Sequence, residues 1–230
     1  MYNIPLQSIF YALTFFMGTF FGSFLKLVAD RSVKGEPIVF SRSKCSFCKK
    51  HLKAHNLVPM FSFLVQKGKC SYCKKRLSFL YPIAEVLTGL VFLVTAIHYN
   101  IFNSFNIVNI TYFIFVLVIL SFYIIMTFTD LSDYIIPNKI VYLAIITAFV
   151  FITLFTIYNI FTLYNDISNN ILGKYLFESG YFKIQVISIL RSYATNIVSS
   201  LLIALFFIFL IIVTKGKGMG GGDVKLALLI

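Results

Sequence analysis

The sequence predicts an all-α polytopic membrane protein with at least six transmembrane helices and a small, zinc-ribbon-like cytoplasmic insert between the first two. Three observations predict it. Apolar residues make up 59% of the 230-residue chain, against about 45–50% in soluble domains, and the mean hydropathy is +0.89. The apolar residues gather into runs of about twenty, the length a helix needs to cross the hydrocarbon layer. All four cysteines lie between the first and second runs, as two C-x-x-C pairs.

The runs lie near Ser8–Val28, Phe79–Tyr99, Ile107–Phe128, Lys139–Ile160 and Asn196–Thr214. The first begins almost at Met1 and has neither a basic leader nor a small-residue cleavage site, so it reads as a retained span rather than a signal peptide. A sixth run starts at Val224 and stops at Ile230, which predicts a C-terminal helix that is incomplete in this chain. The short apolar segment Ile184–Leu190 reads as interfacial. The expected organisation is a first transmembrane helix (1–29), a four-cysteine insert (30–78) and a transmembrane core (79–230).

Charge orients these spans. The formal net charge is +12, and twelve lysines and arginines lie between Asp30 and Ser78 with Asp30 and Glu36 as the acids among them. The link Asn100–Asn106 carries no lysine or arginine. The positive-inside rule therefore assigns the insert to the cytoplasm. Counting spans from there, the Thr129–Asn138 turn and the glycine-rich loop after Thr214 are cytoplasmic, and 161–195 lies outside. The basic balance is read as a topology determinant with some attraction to anionic membrane lipid, not as a nucleic-acid surface.

The cysteine pairs are Cys45-Ser-Phe-Cys48 and Cys70-Ser-Tyr-Cys73, with 21 residues between them, and each is followed by two lysines. Thiolates two residues apart can bite one ion, and two such pairs supply a tetrahedral zinc site. The competing reading is two disulfides or redox pairs, which a reducing cytoplasm disfavours. The insert has few aliphatic residues for a core, so metal would supply much of its folding energy. His51 and His55 between the pairs read as loop residues, and His98 as a helix-end residue.

Carboxylates near hydrocarbon are costly and are candidate functional groups. The stretch Lys215–Leu226 reads K-G-K-G-M-G-G-G-D-V-K-L, with Asp223 at the mouth of the last apolar run. Its G-x-G-x-x-G spacing does not mark a nucleotide site, because a membrane helix precedes it instead of a strand. Gly220 and Gly222 leave room for a second backbone against the carboxylate. A solvated linker is the plain alternative. Asp130, at the cytoplasmic end of the third span, is the only comparable acid-bearing boundary on that face, with Asp133 its rival nearer solvent. Two carboxylates sharing a site hold one proton between them and serve as acid and base together. Inside the second span, Glu85 either snorkels or pairs with a lysine, or else contacts a substrate or cofactor.

The motifs Gly22-Ser-Phe24, the paired cysteines with Gly68-Lys69-Cys70, Tyr81-Pro82 through Glu85, Asp130 through Pro137-Asn138, and Gly218–Leu226 run through nearly the whole chain in order. In these the chain resembles the bacterial type IV prepilin peptidases, bifunctional leader peptidase/N-methyltransferases of the G-x-G-D membrane aspartic protease type. The stretch Asp30–Pro37 is a loose version of that family's arginine–proline motif. The resemblance implies that Asp130 and Asp223 are the catalytic aspartates, and that Gly68 and Lys69 lie in the region associated with methyl transfer. It implies S-adenosylmethionine as methyl donor, prepilin or pseudopilin precursors as substrates, and a bacterial inner-membrane location with both aspartates facing the cytoplasm. Two alternatives are kept beside it: a presenilin-like intramembrane protease with other substrates, and a non-catalytic scaffold whose zinc module docks a partner.

Overall fold

In a computed structural model, the protein is described at residues 4–38, 42–102, 107–215, 224 and 226. Those residues form seven α-helices, α1 (Ile4–Lys34), α2 (Phe61–Val65), α3 (Leu80–His98), α4 (Ile107–Asp133), α5 (Asn138–Ser168), α6 (Gly173–Glu178) and α7 (Tyr181–Val213). Among the described residues β-structure is limited to two isolated bridges, both in the insert. Among the described residues, five helices are long and apolar enough to cross a membrane. The all-α, multi-span class and the cysteine insert after the first helix are therefore as expected. The sixth span falls outside the described residues, apart from helical Val224 and Leu226.

The helices overrun the apolar runs, because backbone hydrogen bonding continues where hydropathy falls. The first helix continues to Lys34, whose charge and that of Arg31 sit favourably at the negative end of the helix dipole. Pro137 precedes α5, where its missing N–H costs nothing. The largest departure is at Ile184–Leu190, expected to be a separate interfacial piece. It is the first part of the 33-residue α7. Arg191, Ser192 and Asn196 interrupt the apolar pattern without interrupting the helix.

The chain divides into two compact units, 1–137 and 138–230. In the first, α1 packs chiefly against α3 and more lightly against α4. Gly18 and Gly22, one turn apart, make that contact close. A Cβ on Gly22 would come within 2.7 Å of the Ala84 carbonyl oxygen and 2.8 Å of the Glu85 Cα, and one on Gly18 within 2.8 Å of the Gly89 Cα. This is the small-residue packing by which membrane helices gain dispersion energy, since apolar burial alone offers them nothing over lipid. Ala84, Thr88, Phe92, Ala96, Met126, Phe128 and Thr129 fill the interior. In the second unit α5 packs on α7 and both touch α6. Thr153 and Tyr193 share a 3.1 Å hydrogen bond, and Tyr164, Phe177 and Phe182 cluster at one end.

Candidate functional site

The four cysteines converge: their sulfurs all lie within 4.8 Å of one another. A tetrahedron with Zn–S bonds of about 2.3 Å has edges of about 3.8 Å, and the Cys45–Cys73 sulfur pair stands at 3.9 Å. All four are free thiols, and Cys45 and Cys70 are buried. The donor set and spacing fit a structural zinc ion.

Two like turns present these sulfurs. In the first, the Cys45 N–H donates to the Lys50 carbonyl (3.0 Å) and the Lys49 N–H to the Cys45 carbonyl (3.0 Å). In the second, the Cys70 N–H donates to Lys75 (2.9 Å) and the Lys74 N–H to Cys70 (3.0 Å). Lys49 and Lys74 both adopt φ of 58°, and the bridges Lys44–His51 and Lys69–Arg76 close the turns. The turns also clasp one another. The Lys50 ammonium lies over the Tyr72 ring (5.7 Å), and the Lys75 ammonium lies over the Phe47 ring (5.0 Å). The two lysines after each pair thus have a physical role in matching the halves. Backbone N–H donation from Cys73, joined by Tyr72 and by the Cys45 and Cys73 sulfurs, outweighs burial and holds the Cys70 thiol down to about 7. The Lys75 N–H favours the Cys73 thiolate, but burial and the sulfurs of Cys70, Cys48 and Cys45 push that thiol up to about 11. The Cys70 thiol is therefore about half ionised at neutral pH, whereas Cys73 would keep its proton unless a metal displaced it.

The insert is tied to the second span. Glu85 is 6% exposed, and its carboxylate accepts a 2.7 Å hydrogen bond from the Met60 backbone N–H. Among the described residues it takes that N–H rather than a lysine. Met60 reaches it with φ of 60°, and the Phe63 ring packs edge-on against Phe79 at 5.3 Å. Gly68 needs its freedom at φ 67°, turning the chain from α2 into the second knuckle while its N–H donates to the Phe63 carbonyl (2.9 Å). Lys69 lines a cavity of about 750 Å³ with His55, Val58, Phe61, Val65, Lys67 and Lys74. His51 belongs to the first knuckle's bridge, and His98 closes α3 against Tyr99.

Asp130 lies in the last turn of α4, exposed, with its carbonyl accepting from the Tyr134 N–H (2.9 Å). Asp133 is the final helical residue and is also exposed. Beside them is a polar clasp that spacing along the sequence did not single out. Lys26, 2% exposed, pairs with Asp30 at 2.5 Å and donates to the Ser132 hydroxyl at 3.0 Å. The Tyr81 hydroxyl donates to the other Asp30 oxygen at 2.9 Å. The ammonium also faces the Tyr81 and Phe128 rings. The signals in the sequence for this clasp were the Lys–Asp spacing of four on one helix and the Tyr81 and Asp30 motifs, which did not show that these residues meet. Gly220, Gly222 and Asp223 lie outside the described residues.

The fold and site define a multi-pass helical membrane protein with a four-cysteine module seated on its second span. Residues 16–99, the module and the two helices that flank it, match the bacterial peptidase A24 N-terminal domain. The chain is 33% identical over 129 residues to the prepilin leader peptidase/N-methyltransferase of Bacillus subtilis (strain 168), covering 56% of this chain and 49% of that one. It is 32% identical over 133 residues to the protein of the same name in Myxococcus xanthus (strain DK1622), covering 58% and 36%. The chain thus spans about half the length of the first relative and about a third of the second. No solved structure matches it. The resemblance to type IV prepilin peptidases, carried above by motifs, holds over residues 16–99 and over the stretches of 129 and 133 residues shared with these two proteins.

Proposed function

We propose that the protein cleaves the leader peptide from type IV prepilin-like precursors at the cytoplasmic membrane face and N-methylates the new terminus. The observation that carries this reading is the match of residues 16–99, which hold the four cysteines, to the bacterial peptidase A24 N-terminal domain, beside 32–33% identity to two curated leader peptidase/N-methyltransferases. Asp130 and Asp223 form the aspartate dyad. One carboxylate takes a proton from water as it attacks the scissile carbonyl, and the other protonates the carbonyl oxygen. The exposed last turn of α4 suits this work, since both water and an extended substrate must reach it. Gly220 and Gly222 let that substrate's backbone approach Asp223. The four thiolates would hold zinc as a structural ion that folds the insert. Glu85 sets the insert against α3 through Met60.

The methyl donor is S-adenosylmethionine, whose sulfonium methyl group would pass to the amino group freed by cleavage. The chain's own share in that step falls to the insert, where Gly68 shapes the turn that leads into Lys69 and the second cysteine pair.

The test uses the full chain in lipid with a prepilin-type precursor. Asp130→Asn and Asp223→Asn are each expected to lower cleavage by at least about a hundredfold, with membrane insertion unchanged. Wild-type cleavage by either variant overturns the dyad, and loss in Asp133→Asn with retention in Asp130→Asn moves the role to Asp133.

A further inference from the structure

We propose that α2 and the cavity beside it sit in the headgroup layer of the protein's own bilayer and bind an anionic phospholipid. This surface is distinct from the peptidase reading and does not rest on it. The first argument is depth. Met60, immediately before α2, donates its N–H to Glu85 at 2.7 Å. Glu85 lies five residues into α3, or about 7–8 Å along the axis at 1.5 Å per residue. Phe63 of α2 packs on Phe79, the residue before α3 starts. The five-residue helix is therefore held alongside the first turn and a half of a membrane-spanning helix, at the level where that helix enters the bilayer.

The second argument is what α2 shows to its surroundings. Phe61, Leu64 and Val65 are 59%, 69% and 82% exposed, with Phe79 beside them at 71%. A contiguous apolar patch at that depth meets acyl chains and glycerol backbone rather than bulk water.

The third argument is charge. The cavity of about 750 Å³ has one apolar wall, Val58, Phe61 and Val65, and one cationic rim, Lys67, Lys69 and Lys74. No carboxylate lines it. Ammonium groups next to an apolar wall fit a molecule with a phosphate at one end and hydrocarbon at the other. A free phosphate would leave the wall unused, and a zwitterionic lipid would bring its own cation among the lysines. Basic groups at such a surface each gain about fivefold in attraction to an anionic leaflet.

The chain contains no tryptophan, so Val65→Trp supplies a single fluorophore on α2, and Leu64→Trp supplies a second, independent one. The full-length protein is placed in nanodiscs of phosphatidylcholine alone or mixed with phosphatidylglycerol, with either lipid brominated as quencher. Blue-shifted emission quenched more strongly by brominated phosphatidylglycerol is expected, and Lys67→Glu with Lys74→Glu should reduce that preference by about fivefold or more. Water-like emission from both tryptophans without quenching overturns the membrane seat. Equal quenching by the two brominated lipids overturns the anionic site. Loss of radiolabelled S-adenosylmethionine binding in the double lysine variant, with no lipid preference in the parent, assigns the cavity to the methyl donor instead.

Discussion

The α1–α3 pair of the first unit and α7 of the second are built on different principles. In α1 and α3, 44% and 39% of the apolar window is buried inside the protein, whereas in α7 the share is 6%. The difference follows from side-chain size and charge. The α1–α3 seam has glycines where backbones touch, a buried lysine paired at its end and a carboxylate capped by the insert. From Leu201 to Val213 the α7 sequence is Ile, Leu, Phe and Val apart from Ala204, the buried residue of the helix. A helix of that kind is solvated by lipid tails as well as by protein and specifies little about its neighbours. Among the described residues, specificity is therefore concentrated in the α1–α3 seam.

The sharpest way to break the first unit is to remove the ligands of its proposed zinc ion. Cys45→Ser together with Cys48→Ser deletes half the ligand set and the sulfur 3.9 Å from Cys73. Structural zinc is worth about 10 kcal/mol or more to a small domain, and the insert has no apolar core to replace it. The expected outcome is loss of the bound zinc ion and rapid proteolysis within 42–77, with the spans still inserted. Mass spectrometry under native conditions and limited proteolysis check both.

The seam itself gives the next largest effect. Gly22→Leu drives a side chain into the Ala84 carbonyl and the Glu85 Cα, both backbone atoms that cannot swing aside. Overpacking of this kind costs about 1–3 kcal/mol. It would also displace Glu85 from Met60, so the insert should loosen with the helices. Leu202→Phe on exposed α7 is the matched control and should leave the unfolding midpoint in detergent unchanged. Equal effects of the two substitutions would erase the contrast between the units.

How much of this was legible in the sequence depends on the range of the interaction. The cysteine centre was, because C-x-x-C pairs encode local turns and chemistry leaves few other uses for them. Span number and approximate position were, because hydrocarbon demands about twenty apolar residues. Helix ends were not: Ile184–Leu190 belongs to α7 because a helix can carry Arg191 and Asn196 wherever a polar surface receives them. The Met60–Glu85 bond left no trace either, since a backbone N–H has no letter and the positive φ at Met60 has no glycine to announce it. Asp130 was readable as an acid closing a span, but the partner proposed for it, Asp223, lies so far along the chain that no local pattern encodes such a pairing.

The smallest of the three effects belongs to Lys26, and it tells packing from charge. Asp30 has a second partner in Tyr81, and its side chain is 22% exposed, so a lost ammonium leaves it partly compensated. Lys26→Met keeps the length of the side chain, removes the charge and frees the Ser132 hydroxyl in the last turn of α4. Breaking a fully buried pair costs about 3–5 kcal/mol, and with a retained hydroxyl and partial solvent access about 1–2 kcal/mol is expected here. Lys26→Met with Asp30→Asn should recover much of that loss, because no unpaired charge remains. Thermal unfolding of the two single variants and the double variant gives the coupling directly. A double variant no more stable than Lys26→Met would mean that the lysine acts through its stem against Tyr81 and Phe128, and that the end of α4 is held by packing alone.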